Sequence, residues 1–159
     1  MIDGPTVAAA LEAAGFTHLV WIPDSHLGMW NEALAKSRLV PIRPCREGEA
    51  IGIAAGLMLG GVKPLVAIQC TGFFEAGDAV RNVVHDLKLP LKLLVGVRSW
   101  RAMQAGKTAD NCPLYAERLV RAWDLSCEWF DPFAAGASCE AALRKLAAAE
   151  QAAVLLWGE

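Results

Sequence analysis

Short apolar runs alternate with helix-like segments along the whole chain. The runs that are typical of buried strands lie at 18–22, 39–42, 64–68, 91–97, 127–130 and 153–157. Segments with helical spacing lie between them, at 3–14, 27–36, 76–87 and 113–123, with one helix starting at Glu47 and another after Ser138. Continuous apolar strands alternating with helices indicate a parallel sheet that is covered on both faces. We therefore predict one α/β domain over residues 1–159: a three-layer, doubly wound, mostly parallel sheet of about six strands.

Turn and capping residues set the expected boundaries of these elements. Asp3-Gly4-Pro5-Thr6 is a helix start, and Gly15 is a helix stop. Ser138 is the expected cap of the last helix. Residues 69–72 are expected to end the third strand, and residues 98–111 are expected to form a polar loop.

Composition narrows the class of protein. The chain has 159 residues, a net charge of −2 and a pI near 5.9, so it lacks the basic surface typical of nucleic-acid binding. No basic segment precedes an apolar run at the start, so we expect no secretory signal. The cysteines are odd in number and show no CxxC pair, so we expect buried thiols in a cytoplasmic protein. They are Cys45, Cys70, Cys112, Cys127 and Cys139.

The segment 50–67 is predominantly apolar and has small residues at fixed spacing. Gly48, Gly52, Gly56 and Gly60 recur every four residues, as in pairs of membrane helices. The sequence 60–64 interrupts this run with glycines, a lysine and a proline, so that each half is too short to span a bilayer. We expect instead a soluble helix whose glycine face approaches a neighbouring element or subunit closely, and no membrane association.

Two carboxylates stand at the start of this apolar helix. Glu47 and Glu49 follow the strand-like run 39–42. A carboxylate after a parallel strand lies where open α/β sheets bind ligands. Desolvation beside an apolar helix favours the protonated acid, which suits proton transfer. The alternative is that both residues merely complement the helix dipole.

Three strand-to-helix loops could form one site at this edge of the sheet. They are 23–26 (Pro-Asp-Ser-His), 46–49 (Arg-Glu-Gly-Glu) and 69–72 (Gln-Cys-Thr-Gly). Neither a GxxxxGK[ST] loop nor a GxGxxG loop is present. Ser25 could simply cap a helix, His26 could lie at a helix start, and Cys70 could be buried packing.

Taken in order, these motifs resemble the pyrimidine-binding domain of thiamine-diphosphate enzymes. The pattern is Pro-Asp-Ser after a strand, Arg-Glu-x-x-Ala-x-x-x-Ala-x-Gly from Arg46, Lys-Pro at Lys63, and Gln-x-Thr-Gly from Gln69. The nearest resemblance is to the alpha subunit of sulfopyruvate decarboxylase and to the N-terminal half of phosphonopyruvate decarboxylase. The resemblance covers nearly the whole chain and is strongest over 20–99.

The resemblance implies roles for particular residues. The glutamate at the position of Glu47 bonds the pyrimidine nitrogen of the cofactor and favours the imino tautomer, which takes a proton from the thiazolium carbon. The cofactor then serves as the electron sink for loss of carbon dioxide from a 2-oxo acid. The resemblance places Thr71 and Gly72 beside the cofactor with Glu47. It places Ser25, Asp24, Gln69 and Cys70 on the substrate side.

The resemblance also has gaps. In these enzymes the diphosphate and Mg²⁺ are held by Gly-Asp-Gly with an asparagine about 25 residues later, an oxygen-rich site. This chain has Gly77-Asp78-Ala79, and Asn31, Asn82 and Asn111 are not at that spacing. The sulfopyruvate relatives usually carry cysteine where this chain has Asp24, which would repel an anionic substituent.

These gaps lead to the functional prediction. No metal ligand is assigned to this chain. We predict an alpha subunit that shares thiamine diphosphate with a beta subunit holding the diphosphate and Mg²⁺, in a dimer or hetero-oligomer that is inactive without that partner. The alternatives are a non-catalytic binding or regulatory module with this fold, or a subunit of a carboligase.

Overall fold

A computed structural model describes residues 2–24 and 26–159 of the chain. Six strands form one sheet in the order β2-β1-β3-β4-β6-β5, and every neighbouring pair is parallel. The strands are β1 (His18–Trp21), β2 (Val40–Ile42), β3 (Pro64–Gln69), β4 (Lys92–Val97), β5 (Ser126–Phe130) and β6 (Ala153–Gly158). The predicted α/β class and the predicted parallel sheet of six strands are therefore confirmed.

The helices are α1 (Gly4–Ala13), α2 (Asn31–Ala35), α3 (Glu47–Leu59), α4 (Cys70–Glu75), α5 (Gly77–Arg81), α6 (Trp100–Gln104), α7 (Cys112–Ala122) and α8 (Cys139–Ala148). A 3₁₀ turn at Leu27–Trp30 precedes α2, and a π-helical turn at Asn82–Asp86 continues α5. Asp3 caps α1 by accepting a hydrogen bond from the Thr6 N–H, and Ser138 caps α8 through the Ala141 N–H. Both caps agree with the sequence.

The sheet is buried on both faces. Along β3, Val66 and Ile68 pack with the core of α3, α4 and α7, whereas Leu65 and Ala67 pack with the core of α1 and α8. Successive side chains of a strand point to opposite faces, so a strand that is covered on both sides must be apolar throughout. This explains why the strands appear in the sequence as unbroken apolar runs.

Two segments differ from the prediction. Residues 70–75 form α4, where the sequence suggested a loop with a helix starting only near residue 76. Gly72 and Thr71 have low intrinsic helix propensity, so the tertiary packing of the buried Cys70 and Phe73 decides the local structure. The predicted loop 98–111 contains α6, which starts after Ser99 in a left-handed conformation (φ 60°).

The glycine face of α3 is open within this chain. A Cβ atom added at Gly52 or Gly56 would meet nothing within 4 Å, and Leu59 at the end of the same helix is 71% exposed. Of the glycines on this face, only Gly48 comes near another helix: an added Cβ would lie 3.8 Å from the Glu75 Oε2 and 4.0 Å from the Ala79 Cβ. The part of the chain that the structure describes therefore supplies no close neighbour for the middle of this face.

Of the helices formed by residues 2–24 and 26–159, none has the combination of length and apolar character that is needed to cross a membrane.

Candidate active site

The candidate site lies at the carboxyl edge of the sheet, where its connectivity changes direction. The chain runs from β1 outward to β2, and then returns to place β3 on the other side of β1. Such a reversal opens a crevice between the loops that follow the two central strands, and ligands bind there in open α/β sheets. Asp24 follows β1, Glu47 follows β2, and Gln69 ends β3, so the fold brings the predicted residues to one edge.

Glu47 is the first residue of α3, and its carboxylate is half-buried. Within the described chain, the Glu47 side chain makes no hydrogen bond and no ion pair with another residue. The backbone N–H groups around the start of the helix donate instead to two other carboxylates. Glu49 Oε2 accepts a hydrogen bond from the Cys45 N–H at 2.9 Å, and Glu75 Oε2 accepts one from the Gly48 N–H at 3.2 Å. Glu47 is therefore left free for another partner.

Glu75 is a site residue that the sequence did not reveal. It lies at the end of α4, and its carboxylate pairs with the Arg46 guanidinium while it accepts from Gly48. The hydrogen bond from Arg46, followed by the one from Gly48, lowers the pKa of the Glu75 carboxyl. This bridge ties the start of α3 to α4. No sequence signal links two residues that are 29 positions apart in different elements.

Gly72 provides the surface against which Glu47 lies. A Cβ atom added at position 72 would lie only 2.5 Å from Cδ of Glu47, closer than real Cβ atoms approach a heavy atom. Gly72 itself is buried. The glycine therefore sets the position of the Glu47 carboxylate, a role that the Thr-Gly pattern alone could not predict.

Gln69 and Thr71 lie beside this contact. The Thr71 Oγ1 donates a hydrogen bond to the Gln69 Oε1 at 3.1 Å, and Thr71 is exposed. Both side chains are therefore accessible at the end of β3, next to Gly72.

Cys70 is placed differently from its neighbours in the sequence. Its thiol is buried in the core, and its Sγ lies 2.7 Å from Sγ of Cys112 at the start of α7. Burial, reinforced by the Cys112 thiol, raises the pKa of Cys70. This placement supports the packing alternative for Cys70 over direct contact with a ligand.

Asp24 forms the turn after β1. Its Oδ1 accepts hydrogen bonds from the N–H groups of His26 (2.8 Å) and Leu27 (2.7 Å), so it starts the 3₁₀ turn. Its Oδ2 is buried and has no hydrogen-bond partner among the described residues. Ser25, which was predicted on the substrate side, lies outside the described residues.

A second acidic residue that was not predicted lies at the same edge. Glu159 follows β6, and its buried carboxylate comes within 3.2 Å of the His26 Nδ1. Burial, together with the nearby Asp24, raises the pKa of Glu159 to about 8. A single glutamate after an apolar strand carries no motif, so its position emerges only from the fold.

A metal ion or an anionic cofactor group needs a cluster of side chains that are free to bind it. Asp78, the acid of the Gly77-Asp78-Ala79 sequence, lies on α5, where it pairs with Arg81 and accepts a hydrogen bond from Asn82. Among residues 2–24 and 26–159, no three His, Cys, Asp or Glu side chains are grouped as metal ligands. The half-buried Glu47 on its glycine fits the pyrimidine end of thiamine diphosphate, whereas the surroundings of Asp78 do not fit its diphosphate and metal.

The fold and this edge define an α/β domain of the type found in thiamine-diphosphate enzymes. The structure superposes on benzoylformate decarboxylase from Polynucleobacter necessarius with a TM-score of 0.75 and 17% identity, over 99% of this chain and 30% of that one. It also superposes on a split gene transketolase, described as an inactive beta4 tetramer, with a TM-score of 0.66 and 20% identity, over 96% and 50% of the two chains.

Two proteins that are similar to this chain in sequence are decarboxylases. The chain is 32% identical over 83 residues to a sulfopyruvate decarboxylase of Methanosarcina acetivorans, covering 52% of this chain and 21% of the relative. It is 26% identical over 108 residues to a phosphonopyruvate decarboxylase of Streptomyces viridochromogenes, covering 67% and 26%. No protein-family model matches the chain.

These comparisons confirm the predicted resemblance, and the chain is a domain similar to thiamine-diphosphate-dependent decarboxylases. It spans about a fifth to a quarter of the length of these curated relatives.

Proposed function

We propose that the chain is the pyrimidine-binding, alpha-type subunit of a thiamine-diphosphate-dependent 2-oxo acid decarboxylase. The observation that carries the proposal is the half-buried Glu47 carboxylate, which rests on Gly72 and has no partner among the described residues. The carboxylate oxygens of Glu47 are not sealed from solvent, so a ligand in the crevice can reach them. The names of the two curated relatives support a 2-oxo acid as the substrate class.

Glu47 would hold and exchange a proton. Thiamine diphosphate, when bound, supplies the electron sink for decarboxylation. Glu47 is the residue that would share a proton with the pyrimidine ring through a carboxylate oxygen, a general acid–base role. The Arg46–Glu75 ion pair would keep the start of α3 fixed against α4, so that the carboxylate keeps its place on Gly72.

The remaining predicted residues would surround Glu47. Thr71 and Gly72 would line the cofactor side. Asp24, Ser25 and Gln69 would face the substrate, and the buried Cys70 would contribute by packing α4 against α7 rather than by contact. The proposal names 2-oxo acids as the substrate class and no particular acid. The reason is that the Asp24 carboxylate would repel an anionic substituent on the substrate.

The diphosphate and Mg²⁺ would be held by a second, beta-type subunit. The pairing of Asp78 with Arg81 and Asn82 leaves this acidic segment without a free oxygen set. The split-gene transketolase among the structural neighbours supports a site divided between chains. The complex would be a cytoplasmic hetero-oligomer.

Reconstitution tests this function. The purified chain, titrated with thiamine diphosphate and Mg²⁺ in a calorimeter, is expected to bind weakly or not at all. Mixed with a Gly-Asp-Gly subunit encoded beside it, the chain should bind the cofactor and decarboxylate a 2-oxo acid, which coupled carbon dioxide release would measure. Tight binding or turnover by the chain alone would contradict the divided site. A complex that binds cofactor without turnover would favour the non-catalytic module.

The open face of α3 gives a separate test of where the partner packs. Replacing Gly52 by Ala should stabilise the isolated chain by about 0.5–1 kcal/mol, because glycine is a poor residue for a helix interior and nothing obstructs the new methyl group. If the partner packs closely on this face, the same methyl should weaken the complex. Chemical denaturation and analytical ultracentrifugation measure the two effects.

The matched control is Ala9→Ser, a small addition on the exposed surface of α1, which should leave assembly unchanged. Unchanged assembly in the Gly52→Ala variant would place the interface elsewhere.

A further inference from the structure

The buried carboxyl group of Glu159 is not used by the proposed mechanism. Its side chain is 2% exposed, and neither carboxylate oxygen has a hydrogen-bond partner among the described residues. It lies directly over Gly96 of β4, where an added Cβ would be 3.3 Å from the Glu159 Cδ. An ionisable group that is held in this way usually has a function or a missing partner.

Two polar side chains after β1 face this carboxyl. The His26 Nδ1 lies 3.2 Å from the Glu159 Oε2, although the geometry is not that of a hydrogen bond. The Asp24 Oδ2 is buried and unpartnered, and Asp24 acts electrostatically on Glu159. His26 is partly exposed, so its ring connects the buried carboxyl to solvent.

A small cavity lies between His26 and Glu159. Its volume is about 10 Å³, and its walls include Trp30, Phe133 and Trp157. This is close to the space that one water molecule needs. A water molecule in this cavity would lie within reach of both side chains.

The nearby cations are engaged elsewhere. The Arg98 guanidinium pairs with Asp110 at 3.0 Å, and the Arg101 guanidinium lies over the Phe133 ring, 4.0 Å from its centre. Asp131 accepts a hydrogen bond from the Phe133 N–H. Within the described chain, Asp24 is therefore the charged group that acts on Glu159, and the His26 ring lies beside it.

We propose that Glu159 is a specificity-determining residue: together with His26 and Asp24 it sets the charge at this edge of the sheet, and its protonation decides whether an anionic substrate is accepted. This inference rests on the proposed function, because Asp24 would line the substrate side. While Glu159 is neutral, Asp24 is the charged carboxylate of this cluster. When Glu159 also loses its proton, two carboxylates lie together and repel the carboxylate of a substrate.

The direction of the pH effect follows from the burial of Glu159. Its pKa is raised to about 8, so the carboxyl is neutral below that pH and becomes charged above it. Affinity for a 2-oxo acid anion should therefore fall as pH rises through about 8. If binding requires one proton on the cluster, the affinity falls about tenfold per pH unit above that point.

The titration can be measured in the full chain alone. Carboxyl ¹³C NMR should show a glutamate midpoint near pH 8 that disappears in Glu159→Gln, and the amide signals of His26 and Leu27 should shift with the same midpoint. Should Glu159→Gln fold poorly, Asp24→Asn serves instead: the amide oxygen can still accept the turn hydrogen bonds, and loss of the neighbouring carboxylate should lower the midpoint. A midpoint in the ordinary acidic range of glutamate would overturn the proposal.

The predicted loss of substrate affinity at high pH is measured as pyruvate binding to the reconstituted complex between pH 6.5 and 9.5. The wild type should lose affinity above pH 8, and Glu159→Gln should bind equally across the range, with KM changing and kcat not. Glu32→Gln, an exposed glutamate paired with Lys36, should keep the wild-type profile.

Binding that is independent of pH, or absent at pH 6.5, would overturn the proposal. A complex that shows the pH step but never releases carbon dioxide would instead refute the decarboxylase function.

Discussion

Replacing Glu47 by Gln is expected to reduce decarboxylation by the reconstituted enzyme about 100-fold or more, the scale of a lost general acid–base group. Glutamine keeps the size of the side chain and its place on Gly72, but it cannot carry the exchangeable proton. Since Glu47 makes no hydrogen bond to the described chain, the fold should not depend on its charge. Steady-state kinetics and circular dichroism on the same preparation measure the two quantities.

The neighbouring carboxylate is the matched control. Glu49 has the same chemistry two residues later, but its Oε2 accepts a hydrogen bond from the Cys45 N–H, and the atoms nearest to an added Cβ at Gly72 are those of Glu47. A glutamine at position 49 can still accept this bond, so Glu49→Gln should change turnover only a few-fold. Equal losses in the two variants, or normal turnover in Glu47→Gln, would contradict the assignment of Glu47.

The fold could be predicted from the sequence because its determinants are local. The inner strands β3, β4 and β6 are buried on both faces and therefore appear as nearly unbroken apolar runs, as 64–68 does for β3. Asp3, Gly15 and Ser138 mark helix ends through contacts within a few residues. Alternation of such runs with helices leaves few topologies besides a parallel, doubly covered sheet.

The site could be predicted only in part, since its geometry depends on contacts between distant residues. The local pattern placed Glu47 at a strand end, and the resemblance placed Gly72 beside the cofactor, but neither indicated that Gly72 positions the Glu47 side chain. It missed Glu75, whose partners Arg46 and Gly48 lie in another helix. It also missed Glu159, because burial at the end of β6 depends on the residues that follow β1.

Cys70 shows that neighbours in a motif need not share an environment. The resemblance placed it with Gln69 on the substrate side, and packing was the alternative; successive residues of α4 point in different directions. The helix turns Cys70 into the core against Cys112, while Thr71 stays exposed. The difference arises because residues 70–75 form a helix, whereas the local sequence suggested a loop.

Replacing Gly72 by Ala should remove most activity without removing any functional group. The new Cβ would overlap Cγ and Cδ of Glu47, so the carboxylate must leave its position. The obstructing atoms belong to a flexible, half-buried side chain, which can rotate away at little cost to folding. Alanine also favours α4 over glycine, so the free energy of unfolding should change by less than about 1 kcal/mol. We expect turnover to fall at least tenfold.

A control and a double variant separate this effect from general disturbance of α4. In Gly77→Ala, at the start of α5, the Cβ would lie 3.5 Å from the Trp123 ring, an ordinary contact, and activity should stay near the wild type. Adding Glu47→Gln to Gly72→Ala should cost little further activity, because both changes remove the same carboxylate from the same place, and such effects are not additive. If the two losses multiply instead, Gly72 acts independently of Glu47. The arrangement proposed for the cofactor side of the site would then be wrong.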